Sequence, residues 1–178
     1  MQTREFQIRG VTIRIRFDAN QVSESQIRQL VITLRLLPVN HLRHIPLITV
    51  GNRPPAGGGG SAHPGMPGGP YIRLNRNIFQ SPWNRGTYNY TLLHEVGHVI
   101  DWTYNSMSRM RRDDRAGYQA LLAHTHRGRT QGPGEHFADA YADFIIGKRM
   151  SAARRNALRQ STAFKNVVAG ADMMCTVG

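Results

Sequence analysis

Residues 90–102 read YTLLHEVGHVIDW, and no other segment restricts the fold as tightly. Leu92, Leu93, Val96, Val99 and Ile100 spread apolar side chains nearly all round a helix, which must therefore be buried. The same helix carries His94, Glu95 and His98. Burying such an ionisable group without a metal or polar partners costs several kcal/mol. The chain has to fold around this helix and bring it partners from elsewhere.

Helix geometry then sets the chemistry. Positions i and i+4 lie ~40° apart around the axis, so His94 and His98 share a face and can offer two imidazole nitrogens to one zinc ion. Glu95 is rotated ~100° from His94 and does not point at the metal. It is placed to act as general base on a water in the metal's open position, later passing the proton to a leaving amine. Gly97, mid-helix, costs ~1 kcal/mol against alanine, which close approach of another backbone would justify.

Catalytic zinc usually has three protein ligands. A third histidine six residues beyond His98 would fall on Tyr104, which removes the HExxHxxGxxH class. The acidic candidates lie in GEHFADAYADF, where Glu135, Ala138, Asp139 and Ala142 share one helical face. Phe137, Tyr141, Phe144 and Ile145 form an apolar stripe on another. Glu135 is the expected third ligand. Asp139, one turn later, is the expected acceptor for a ring N–H of His94 or His98, fixing the metal-facing tautomer. The reversed assignment of the two acids stays open. His136 points away from this face and is expected at the surface.

HEVGHVID followed by EHFADAYADF resembles the gluzincin metalloproteases of the lethal-factor type, which include the catalytic domain of anthrax lethal factor and the secreted Pro-Pro endopeptidases. These pair HExxH with a downstream helix of the form E-x-F-A-[ED]-A, and the likeness spans about residues 88–147. It implies His94, His98 and Glu135 as ligands of one zinc ion, Glu95 as general base and Asp139 behind the ligands. It also implies a peptide substrate along a strand edge, for which Tyr71 to Asn75 is the natural candidate. The family places an oxyanion-stabilising tyrosine seven residues before the third ligand, a position held here by Gly128. Tyr118, His124, His126 and Arg127 are the substitutes within reach of a loop shift. Relatives of this type are often secreted toxins or effectors, whose counterparts are a protein or peptide substrate and an inhibitor or immunity protein.

The flanking sequence reads as one α+β domain. REFQIRGVTIRIRFD, 4–18, alternates with period two and changes phase at Gly10, predicting a tight hairpin or bulge with Arg14 and Arg16 on the wet face. Ser23 and Gln26 form a capping-box pair, Val22 can staple Ile27, and Ile27, Leu30, Val31, Leu34 and Leu37 line the helix until Pro38. Residues 45–50 and 71–75 read as strands. Between them PPAGGGGSAHPGMPGGP, 54–70, predicts no regular structure, only a flexible loop or a lid at the site's rim; His63 within it reads as a solvated loop residue. Further helices are expected over about 113–124, 134–147 and 151–160.

Net charge is +12, and all but two of the 23 basic residues are arginine. No nucleic-acid module signature accompanies them, so a nucleic-acid partner is disfavoured, and RMRRDDR, 109–115, reads as a solvated turn. Cys175 is the single cysteine, which excludes an intrachain disulfide and a cysteine-ligated zinc finger. No apolar run is long enough to cross a bilayer, and MQTREFQIRG has no classical signal peptide; the expected location is the producer's cytoplasm or a delivered effector. The expectation is a single zincin-like domain over 1–178, a small N-terminal sheet packed with the active-site helix and C-terminal helices, acting as a zinc-dependent endopeptidase. The alternative is a catalytically weak scaffold whose arginines bind nucleic acid or acidic protein.

Overall fold

A computed structural model describes residues 1–52, 59–66, 69–84, 86–123 and 132–168. They form a mixed α+β domain with one five-stranded sheet and eight helices among the described residues. The N-terminal hairpin is strands β1 (Gln2–Ile8) and β2 (Val11–Phe17), paired antiparallel from Ile8↔Val11 to Gln2↔Phe17. Its two-residue turn places Arg9 at φ 51° and Gly10 at φ 80°, the left-handed pair that matches strand twist and that glycine adopts freely. The phase change at Gly10 is this turn.

Helix α1 (Glu24–Leu34) starts on the reciprocal Ser23–Gln26 capping box and buries Ile27, Leu30 and Leu34. Pro38 then opens a one-turn helix, α2 (Val39–Leu42), and strand β3 (Leu47–Gly51) joins β2 in parallel. Strand β5 (Gly69–Asn75) pairs parallel with β3, and β4 (Gly60–Met66) pairs antiparallel with β5, giving the order β1-β2-β3-β5-β4. One face of this sheet buries Ile13, Ile15, Phe17, Ile48, Val50, Ile72 and Leu74 in the same core as the helices. Arg14, Arg16 and Arg73 stand exposed on the other.

Strand β4 corrects the expectation of a structureless 54–70. Residues 60–63 and 66 pair with β5, with a register shift between His63 and Met66, and β5 begins two residues earlier than the apolar run suggested. An edge strand tolerates Pro64 because its outer side needs no ladder donor. Residues 53–58 and 67–68, with the Pro54-Pro55 pair, lie outside the described residues. His63 stacks on Tyr71, ring centroids 4.6 Å apart, and shares a hydrogen bond with Ser61 at 2.9 Å. Strand β5 is also flanked on both sides, so Tyr71 to Asn75 offers no free edge; the edge on that side of the sheet is β4.

The HExxH segment is helix α3 (Tyr90–Tyr104). Asn89 caps it by accepting from the Leu92 N–H at 2.9 Å, and its own N–H donates to Thr33 on α1 at 2.8 Å. Helix α4 (Ser106–Asp113) follows where a solvated turn was expected: Met107 and Met110 are buried anchors amid the arginines. Next come α5 (Arg115–Leu122), α6 (Pro133–Ile145), α7 (Ala152–Gln160) and α8 (Thr162–Val168). No helix among the described residues is long and apolar enough to cross a membrane.

His41 joins α2 to this helical layer. Its Nε2–H donates to the Ala163 carbonyl and its Nδ1 accepts from the Tyr141 hydroxyl, both at 2.9 Å, and the ring is fully enclosed. Burial lowers its pKa to about 4, against the backbone hydrogen bond to Ala163. The unfolded chain therefore takes a proton below pH ~6.5 that the folded chain refuses until about 4. The neutral ring's contribution is complete above pH ~6.5, and about 3 kcal/mol is lost as pH falls to 4. Urea unfolding across that range is expected to show a shallower acid loss in His41→Gln than in the wild type; equal slopes would contradict the assignment.

Candidate metal centre

Helix α3 crosses α6 at Gly97. A Cβ built there would lie 2.7 Å from the Ala138 Cα and 3.1 Å from its carbonyl oxygen, so only glycine permits this approach. The mid-helix glycine and the alanines on the acidic face of α6 are thus one feature seen from two sides. With the helices in contact, Glu135 and Asp139 face the two histidines.

His94 Nε2, His98 Nε2 and the Glu135 carboxylate come together, each ring nitrogen facing its own carboxylate oxygen. The two nitrogens are 3.2 Å apart, His94 is 3.2 Å from Glu135 Oε2, and His98 is 3.2 Å from Oε1. A tetrahedral ion with bonds of ~2.0–2.1 Å spaces its ligand atoms ~3.3–3.4 Å apart. The donor set therefore fits a single cation, and it is the one such cluster among the described residues.

Asp139 does not join the three. Its Oδ1 accepts from His94 Nδ1–H at 2.8 Å, which fixes the tautomer and turns the Nε2 lone pair toward His98 and Glu135. Burial depresses the basicity of His94, but hydrogen bonds to Asp139 and Glu135 and the charge of Glu95 outweigh it and lift the pKa to about 9. Hydrogen bonds from both rings hold Glu135 far below the usual carboxylate range. A cation held by these residues would compete with the protons that bind there.

Sequence reasoning missed what stands behind Asp139. The Tyr90 hydroxyl reaches Asp139 Oδ1 at 3.5 Å and its carbonyl at 3.4 Å. One turn on, buried Asp143 takes Arg154 at 3.4 Å and Lys148 at 3.4 Å. Tyr90 stands at i−4 from His94, so the i, i+4 pattern that picked out the histidines also contained it. His98 stacks on Trp102, centroids 5.8 Å apart, and Asp101 accepts from the Met107 N–H at 2.8 Å where α4 begins.

Glu95 is buried beneath β4, against Gly60. His136 is also buried, contrary to the surface position expected: both sides of α6 are covered, by α3 on one and by α4, α5 and α7 elsewhere. Of the residues named for the oxyanion, Tyr118 sits half-buried against the core on α5, and His124, His126, Arg127 and Gly128 lie outside the described residues. Comparison with protein-family models, curated proteins and solved structures finds no match to this chain.

Proposed function

We propose that the protein is a zinc-dependent endopeptidase. The observation that carries this is the three-atom set on His94, His98 and Glu135 with an acid, Glu95, on the same helix but turned away from it. A purely structural site has no use for a base beside its metal. The resemblance of HEVGHVID and EHFADAYADF to lethal-factor-type gluzincins supports the same reading, including the zincin-like fold. Two imidazoles and a carboxylate make a donor set for zinc, which when bound supplies Lewis-acid polarisation of the scissile carbonyl and of water.

The chain's own groups do the rest. Glu95 accepts the proton of the attacking water and returns it to the departing amine. Asp139 holds His94 in its ligating tautomer, and Tyr90 steadies Asp139. The outer side of β4 is the edge along which an extended peptide would add as a further strand, in place of the enclosed β5.

Purified protein is expected to carry about one zinc per chain and to cleave members of a peptide library. Cleavage should stop with a chelator and return on adding zinc. A fully zinc-loaded protein that cuts no peptide would end this reading.

A further inference from the structure

Strand β4 begins directly on the HExxH helix. A Cβ at Gly59 would meet Ile78 Cγ2 at 3.1 Å and Thr91 Cγ2 at 3.3 Å. A Cβ at Gly60 would lie 2.7 Å from both Cγ and Oε1 of Glu95 and 3.0 Å from Cδ. Thr91 and Glu95 are one helical turn apart, so the two glycines lie along one ridge of α3. Gly60 does not have the positive φ that would call for glycine, and its place in a strand suits any residue with a side chain. Space is the reason for glycine at this position.

We infer that Gly60 is a positioning residue, which sets where the Glu95 carboxylate sits by leaving it the space a side chain at position 60 would fill. The consequence for catalysis rests on the peptidase reading above; the steric relation does not. The strand cannot back away cheaply. Gly60 is in register with Leu74, Ala62 with Ile72, and the carbonyl of Gly59 accepts from the Asn75 N–H at 2.8 Å. Leu74 and Ile72 are core residues. A methyl group at position 60 therefore displaces the acid rather than the sheet. The ligand set is spared, because His94 and His98 project from a different face of α3, toward α6.

This gives the Gly/Pro-rich segment a definite task. Gly59 and Gly60, the end of its four-glycine run, lie over α3, and Gly60 forms the roof over the general base on the edge strand of the sheet. A displacement of about 1 Å at a reacting group costs on the order of 100-fold in rate.

The test compares the wild type, Gly60→Ala, Glu95→Ala and the double variant. Gly60→Ala is expected to lower kcat on a cleaved peptide by roughly 10–100-fold, with KM and bound zinc unchanged. Its Tm should fall by roughly 2–10 °C in the wild-type background. In the Glu95→Ala background the same substitution should be neutral or stabilising, since the new methyl group enters vacated space. An equal Tm cost in both backgrounds, or wild-type kcat in Gly60→Ala, overturns the inference. If the wild type shows no Glu95-dependent cleavage, the peptidase reading falls by itself, and the thermal cycle still decides whether Gly60 sets Glu95.

Discussion

Glu95→Gln is expected to lower kcat by about 10²–10⁴-fold while leaving zinc content at the wild-type level. Glutamine matches the volume of glutamate, so the space beneath Gly60 stays filled and the packing of α3 against β4 is undisturbed. What the substitution removes is the capacity to take a proton. Glu95 is not among the three residues that could hold an ion, and its ~100° rotation from His94 keeps it clear of them. Metal binding and proton transfer therefore separate in this variant, as they do not when a ligand is changed. The measurement is the initial rate on a peptide cut by the wild type, alongside metal analysis of the same samples. Undiminished cleavage would remove Glu95 from the reaction and the peptidase reading with it. Lost zinc with lost activity would instead place Glu95 in the metal's support.

Gly97 shows why some of this site was legible in the sequence. A glycine in the middle of an apolar helix has few explanations, and the alanines at i+3 and i+7 from Glu135 offered the surface that could approach it. The structure joins the two at Ala138. Local signals of this kind carried the turn at Gly10 and the Ser23–Gln26 cap as well, because each is satisfied by residues near in sequence. Strand β4 was not legible. Its composition is that of a linker, and what makes it a strand is pairing with β5 and packing on Thr91 and Glu95, neither visible in its own residues. His136 failed for a related reason: helical periodicity tells which face a residue is on, but not how many faces its neighbours cover. Tyr90 was hidden because it reaches His94 only at one remove, through Asp139, and the Asp143–Arg154 pair because its partners come from two different helices.

Glu135 and Asp139 of α6 are expected to part company on substitution, which bears on the assignment the sequence left open. Glu135→Ala should lower zinc affinity by more than about 100-fold, beyond the 10–100-fold typical of groups behind the ligands. Asp139→Ala should fall within that lower range and still fill with zinc at excess metal. The difference follows from which nitrogen each acid addresses. Glu135 faces Nε2 of both rings, where an ion would sit, whereas Asp139 holds the opposite nitrogen of His94 at 2.8 Å. Stability should run the other way. The Glu135 side chain is 41% exposed and its loss leaves the core intact, so missing zinc in that variant cannot be ascribed to unfolding. Asp139 is enclosed, and removing it strands His94 Nδ1–H, a cost of about 1–3 kcal/mol for the group left unsatisfied. Chelator competition gives the affinities and urea unfolding of the metal-free proteins gives the stabilities. Retention of tight zinc in Glu135→Ala together with its loss in Asp139→Ala would exchange the two roles.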